Sequence, residues 1–145
     1  MSVSRVYFDT SMLVKRYVNE EGSHKADNYF RLAHRGEAVI CFSEMNLGEA
    51  ATVFDKYSRK THIDAEALLK TMLSELKVLE RFSSVEIYPV TGEVIKRSIK
   101  TVLEHHIYII DALQIETSIE ARANLFLTAD EELNLVAKEM GIRTV

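Results

Sequence analysis

The sequence predicts an α/β fold: a three-layer α/β/α sandwich around a central parallel sheet of four to five strands. Three observations predict it. Short β-branched and aromatic runs alternate with longer segments whose apolar residues recur at helical spacing. Each run is followed by enough chain for the helical crossover that parallel strands need. The 145 residues hold one proline, five glycines and no biased tract or repeat, so residues 1–145 read as a single domain without a linker.

Val3 to Phe8 reads as the first strand and stops at Asp9. Thr10 to Val18 follows as a helix with Met12, Leu13 and Tyr17 on its apolar side; Gly22 breaks it, and Ser23 to His34 resumes with Ala26, Tyr29, Phe30 and Ala33. Gly36 closes that helix from the position just past its end. Glu37 to Phe42 is the second strand, and Ser43 caps a helix reaching about Lys60, with Leu47, Ala50, Phe54 and Tyr57 in register. Asp64 caps the next helix, which runs to about Phe82. Val85 to Val90 is a third strand, Thr91 opens a helix to about His105, and Ile109 to Ala123 forms another. Leu125 to Leu127 is the fourth strand, Asp130 to Met140 the last helix, Gly141 its stop, and Ile142 to Val145 an added edge strand.

Composition narrows the function. A chain of this length buries roughly 70% of its unfolded surface and needs no disulfide or structural metal. The lone Cys41, inside Ala38-Val39-Ile40-Cys41-Phe42, forms neither and reads as a buried small hydrophobe in a reducing compartment. No apolar stretch approaches the roughly 20 residues of a membrane span, and Met1-Ser2-Val3-Ser4-Arg5 is no signal peptide, so the expected location is cytoplasmic, with no membrane. No glycine-rich loop follows a strand, which argues against nucleotide binding. The 18 Lys and Arg against 22 Asp and Glu give a net charge of −4, the wrong sign for a constitutive nucleic-acid binder unless the acids cluster and demand a cation.

Four acids stand where a parallel sheet exposes chemistry, beyond the carboxyl ends of its strands. Asp9 ends the first strand; it caps the helix at Thr10, or a hydroxyl from Ser11 or Thr10 orients it as a ligand. Glu49 and Glu44 flank the apolar stripe of the third helix on either side, and Gly48 beside Glu49 hints at a close backbone approach. Asp111 sits in the apolar run Ile109-Ile110-Asp111-Ala112-Leu113, where it is either a ligand or half of a capping box with Gln114. Asp130 follows the fourth strand, where it or Thr128 could cap a helix.

Each acid alone has a dull explanation, but together they gather at one edge of the sheet. Carboxylates so placed raise each other's pKa unless a hard cation neutralises them. Mg²⁺ or Mn²⁺ fits an oxygen-only donor set, and such a site suits phosphodiester hydrolysis. Two such ions would bring the formal charge to zero.

At this point the residues resemble a PIN-domain ribonuclease. Tyr7-Phe8-Asp9-Thr10-Ser11-Met12-Leu13 is similar to the family's opening strand and acidic turn. Ser43 through Glu49-Ala50 resembles its second motif, and this resemblance selects Glu49 over Glu44. Asp111-Ala112-Leu113-Gln114-Ile115 resembles the third, and Leu127-Thr128-Ala129-Asp130-Glu131-Glu132-Leu133 the fourth. The compact length further resembles the VapC-type toxins of toxin–antitoxin pairs. The resemblance implies a metal-dependent endoribonuclease, a homodimer, and a small antitoxin whose tail covers the acidic pocket. It places the metal-binding catalytic acids at Asp9, Glu49, Asp111 and Asp130 and supporting hydroxyls at Ser11 and Thr128. The chain departs from the family before and after the third acid, with His105-His106-Ile107-Tyr108 ahead of it and Glu116-Thr117-Ser118 behind.

The expected chemistry is hydrolysis of single-stranded or looped RNA with one or two Mg²⁺ ions, leaving a 3′-hydroxyl and a 5′-phosphate. Lys15 and Arg16, one turn past Asp9, are the expected phosphate contacts, ahead of the helix-face sets Lys56/Arg59/Lys60 and Lys96/Arg97/Lys100. Glu116, about 140° around the helix from Asp111, should not join the site. A metal-free histidine mechanism ranks low, because the five histidines fall on helix ends and polar faces. The competing readings are a PIN-fold nuclease of RNA maturation or DNA cleavage, and a non-catalytic PIN-like binding module.

Overall fold

The structure, a computed structural model, describes residues 3–145; Met1 and Ser2 of the N-terminal reading lie outside the described residues. Its elements are β1 (Ser4–Phe8), α1 (Thr10–Lys15), α2 (Ser23–His34), β2 (Ala38–Ser43), α3 (Met45–Lys60), α4 (Ala65–Arg81), β3 (Val85–Tyr88), α5 (Gly92–His105), α6 (Ile109–Glu120), β4 (Leu125–Leu127) and α7 (Glu131–Glu139).

All strand pairs are parallel, in the order β3-β2-β1-β4. The chain starts at the second-innermost position, builds outward through β2 and β3, then crosses back to lay β4 on the far side of β1. The crossing directions reverse between β1 and β4, which opens a crevice beyond their carboxyl ends. The expected edge strand at Ile142–Val145 reduces to one bridge, Thr144 to Phe126. It begins directly after Gly141, whose φ of +79° turns the chain back from α7, leaving little length to pair.

Alternation along β1 builds the two helical layers. Phe8 faces α2, edge-on to Phe30 at 5.6 Å and Tyr29 at 6.2 Å. Tyr7 faces the other way, stacked on Phe126 at 5.5 Å with its hydroxyl reaching Gln114 of α6. Tyr7, Phe8, Phe30, Phe42, Phe54 and Phe126 are fully buried, each worth about 1.5–3 kcal/mol of apolar burial. Cys41 is buried as expected, and burial pushes its thiol up to about 11.

The expected caps form at Asp64, Thr91 and Asp130, whose side chains accept N–H groups of the first turn that follows. The helix expected over Thr10–Val18 ends at Lys15 instead. Beyond it the chain reverses at Gly22 (φ +87°), and the Lys15 ammonium holds that turn through Glu20 Oε1 and the Glu21 carbonyl. Gly48 corrects a second expectation: no backbone approaches it, and an added Cβ would meet open space.

Candidate active site

Parallel register carries Asp9 to the crevice. Phe8 pairs with Leu127, and the Asp9 N–H donates to the Leu127 carbonyl at 3.1 Å, so the residues after β1 and β4 lie side by side. Both Asp9 oxygens are held. Oδ1 accepts from Ser11 Oγ at 2.6 Å and from the Met12 N–H at 3.0 Å; Oδ2 accepts from the Thr128 hydroxyl. The cap and the oriented carboxylate, alternatives in the sequence, are one arrangement. Ser11 and Thr128 are themselves fixed, accepting from the N–H groups of Ala129 and Asp130. Burial pushes the Asp9 carboxyl up to about 6; the three hydrogen bonds oppose the rise and the charge of Asp111 adds to it.

Thr10 takes a different partner, donating to Glu49 Oε1 at 2.6 Å. Glu44 is spent elsewhere, accepting from the Val90 N–H, so the two flanking glutamates part company. Asp130 caps α7 through Oδ1. Asp111 lies in the first turn of α6, and its carboxylate has no hydrogen-bond donor among the described residues. Burial raises its pKa, followed by the charges of Asp130, Glu49 and Glu132.

Asp9, Glu49, Asp111 and Asp130 all line one cleft of about 420 Å³, with Thr10, Ser11 and Gln114 among its walls. Among the described residues no three His, Cys, Asp or Glu side chains are drawn together tightly enough to grip a metal ion. Mutual repulsion accounts for that spacing. The donor set still fits a hard divalent cation: it is all oxygen, and Asp111 carries charge that neighbouring acids oppose and no donor offsets.

Three expectations are corrected. Asp111 and Gln114 form no capping box: Tyr108 is the N-cap of α6 and makes no side-chain cap. Gln114 instead accepts from Tyr7 Oη at 2.7 Å and donates to Asn46 Oδ1 at 2.6 Å, while Asn46 donates to the Phe8 carbonyl, a buried polar chain beneath the cleft. Arg16 does not face the cleft. Its guanidinium grips Glu75 at 2.7 and 3.0 Å and Asp27 at 2.9 Å, and lies over Phe30. Lys15 is committed to the Gly22 turn. A long charged side chain one turn past Asp9 has a choice of partners, and the nearby carboxylates won both.

The lysine that does line the cleft is Lys56, with Thr52 and Val53. The signal was available, since Glu49, Val53, Lys56 and Lys60 fall at i, i+4, i+7 and i+11 on one face of α3. Glu116 stays outside, buried against Thr101 and Arg97. His34 contacts Glu75 and His105 faces Glu139, while His106 borders a smaller hollow beside Asp111 and Asp130.

The family model described as the PIN domain matches residues 6–139. Three solved structures share the fold. VapC20 of Mycobacterium tuberculosis, described as a sarcin-ricin loop cleaving toxin, is 13% identical with a TM-score of 0.67, covering 90% of this chain and 93% of its own. PAE2754 of Pyrobaculum aerophilum is 19% identical with a TM-score of 0.65, covering 99% and 84%. VapBC2 of Rickettsia felis, described as bound to a promoter DNA fragment, is 16% identical with a TM-score of 0.62, covering 97% of each chain. No curated protein matches the sequence.

Proposed function

The chain belongs to the PIN domain family, and from that premise we propose that it is a Mg²⁺- or Mn²⁺-dependent endoribonuclease, the toxin of a VapBC-type toxin–antitoxin pair. The observation that carries this reading is the cleft shared by Asp9, Glu49, Asp111 and Asp130 at the reversal point of the sheet. Likeness of fold to VapC20 and VapBC2 supports the toxin assignment and, with it, a homodimer and a small antitoxin partner. Among the described residues no helix is long and apolar enough to cross a membrane, which agrees with work on RNA in the cytoplasm.

Asp9 and Asp111 are the principal ligands, and Glu49 and Asp130 complete the acidic ring directly or through water. A divalent cation bound there supplies Lewis-acid polarisation of the phosphate and a lowered pKa for water. The chain's own part is preorganisation. Ser11, Thr128 and the Met12 N–H hold Asp9 in one orientation, and Thr10 does the same for Glu49. Asp111, without a competing donor, keeps its lone pairs for the cation. The unpaired negative charge of the ring makes the site bind cation first and phosphate second.

End-group analysis of cleaved RNA tests the reaction. Products with a 5′-phosphate and a 3′-hydroxyl are expected; a 2′,3′-cyclic phosphate would instead mean that the ribose hydroxyl is the nucleophile and that the metal-carboxylate reading is wrong.

A further inference from the structure

The acidic cleft is not symmetrical along its length. On the side of α6 and α7 it continues into a hollow of about 170 Å³ bordered by His106, Tyr108 and a further carboxylate, Glu132. On the side of α3 it continues into a hollow of about 330 Å³ lined by Val53, Lys56, Tyr57 and Lys60. Val53 and Lys56 border both the acidic cleft and this second hollow, so the two are continuous. A polyanion leaving the acids meets another negative charge in one direction and two lysines in the other.

These lysines differ from most cations around them. Lys15, Arg16, Arg59 and Arg97 all hold carboxylates, at 3.0, 2.7, 2.5 and 3.5 Å at their shortest. Lys56 and Lys60 are exposed and make no ion pair among the described residues. Tyr57 between them is turned aside, its hydroxyl donating to Glu20 at 2.6 Å. Lys56 and Lys60 stand one turn apart, about 6 Å along the helix axis, and Glu49 lies about 16 Å from Lys60 along the same face. That spacing suits successive phosphates of an extended single strand.

We propose that the Lys56–Lys60 face of α3 is the track that holds the backbone of single-stranded RNA as it leaves the acidic cleft. The proposal rests on the ribonuclease reading above and adds the direction of the strand and the residues that carry it. Binding there is to phosphate, so it is sequence-tolerant and salt-dependent.

The test is the affinity of the full chain for a short fluorescein-labelled single-stranded RNA across a salt series, with cleavage blocked by Asp111→Asn in every protein compared. Adding Lys56→Ala and Lys60→Ala lowers the slope of log K against log salt by about 1.4, about 0.7 per lost phosphate contact, and weakens binding roughly tenfold. The double Arg replacement restores both. Lys70→Ala with Lys77→Ala on α4 removes the same charge at a distance and leaves the slope unchanged. With Asp111 intact, the double Ala variant raises KM more than it lowers kcat. An unaltered slope in that variant, or an equal loss from the α4 pair, overturns the track while cleavage by the Asp111 protein leaves the ribonuclease reading standing. A full chain that neither binds nor cuts RNA with Mg²⁺ or Mn²⁺ overturns both.

Discussion

The Thr128 hydroxyl donates to Asp9 Oδ2 across the junction of β4 and β1, joining residues 119 apart in the chain. With Ser11 on the other oxygen, it gives a buried carboxylate a single orientation. Thr128→Val and Ser11→Ala should each lower cleavage by about 10- to 100-fold, the range for lost support of a metal ligand, while the fold persists. Steady-state cleavage rates and far-UV circular dichroism check this; unchanged rates in both variants would remove the positioning role.

Asp9 also has a stability signature in metal-free protein. Its carboxyl titrates at about 6 in the folded state against an ordinary 3.8, so between those values the folded chain holds a proton that the unfolded chain has lost. Stability contributed by this group is therefore full below about pH 4 and falls as pH rises through 6, by about 3 kcal/mol in all. Asp9→Asn escapes that loss. Urea unfolding in EDTA should show the variant gaining on the wild type between pH 4 and 7, and a constant difference would contradict the buried-carboxylate account.

Arg16 is a strut rather than a phosphate contact. Burial alone would raise Glu75, but hydrogen bonds from Arg16, His34 and Tyr17 overcome it and hold the carboxyl at about 2. Its depressed pKa contributes stability present above about pH 4.5 and lost as pH falls toward 2. Arg16→Ala should cost about 2 kcal/mol at neutral pH, less than for a fully buried pair because both groups are partly solvated. The urea midpoint reads this, and the salt dependence of RNA binding should not move.

Gln114→Leu tests the polar chain under the cleft. The leucine fits the volume but strands the Tyr7 hydroxyl and Asn46 Oδ1, both buried, at a cost of about 2–3 kcal/mol. Thermal unfolding measures it; a neutral result would mean that water replaces both bonds.

The layered fold was legible in the sequence because its signals are local: a strand of alternating burial, a capping Asp64 or Thr91, a helical stripe. The four acids were legible for a related reason, since a parallel sheet puts everything that follows its strands at one edge. What failed depends on distant partners. Arg16 looks free until α4 brings Glu75, 59 residues away, beside it, and Gln114 looks like a cap until Tyr7, 107 residues back, arrives beneath α6. Lys56 failed otherwise. Its helical face was readable, but the acids had been sorted by strand ends and the lysines by distance from Asp9, so their shared face on α3 went unused.

The central claim is that the carboxylate ring cuts RNA only with a divalent cation. Cleavage of a defined RNA by the wild-type chain, Asp9→Asn and Asp111→Asn, each with Mg²⁺ or Mn²⁺ and again with EDTA, tests it most directly. Cutting should appear only in the wild type with metal and vanish in EDTA and in both variants. Cutting that persists in EDTA, or in both variants, would contradict it.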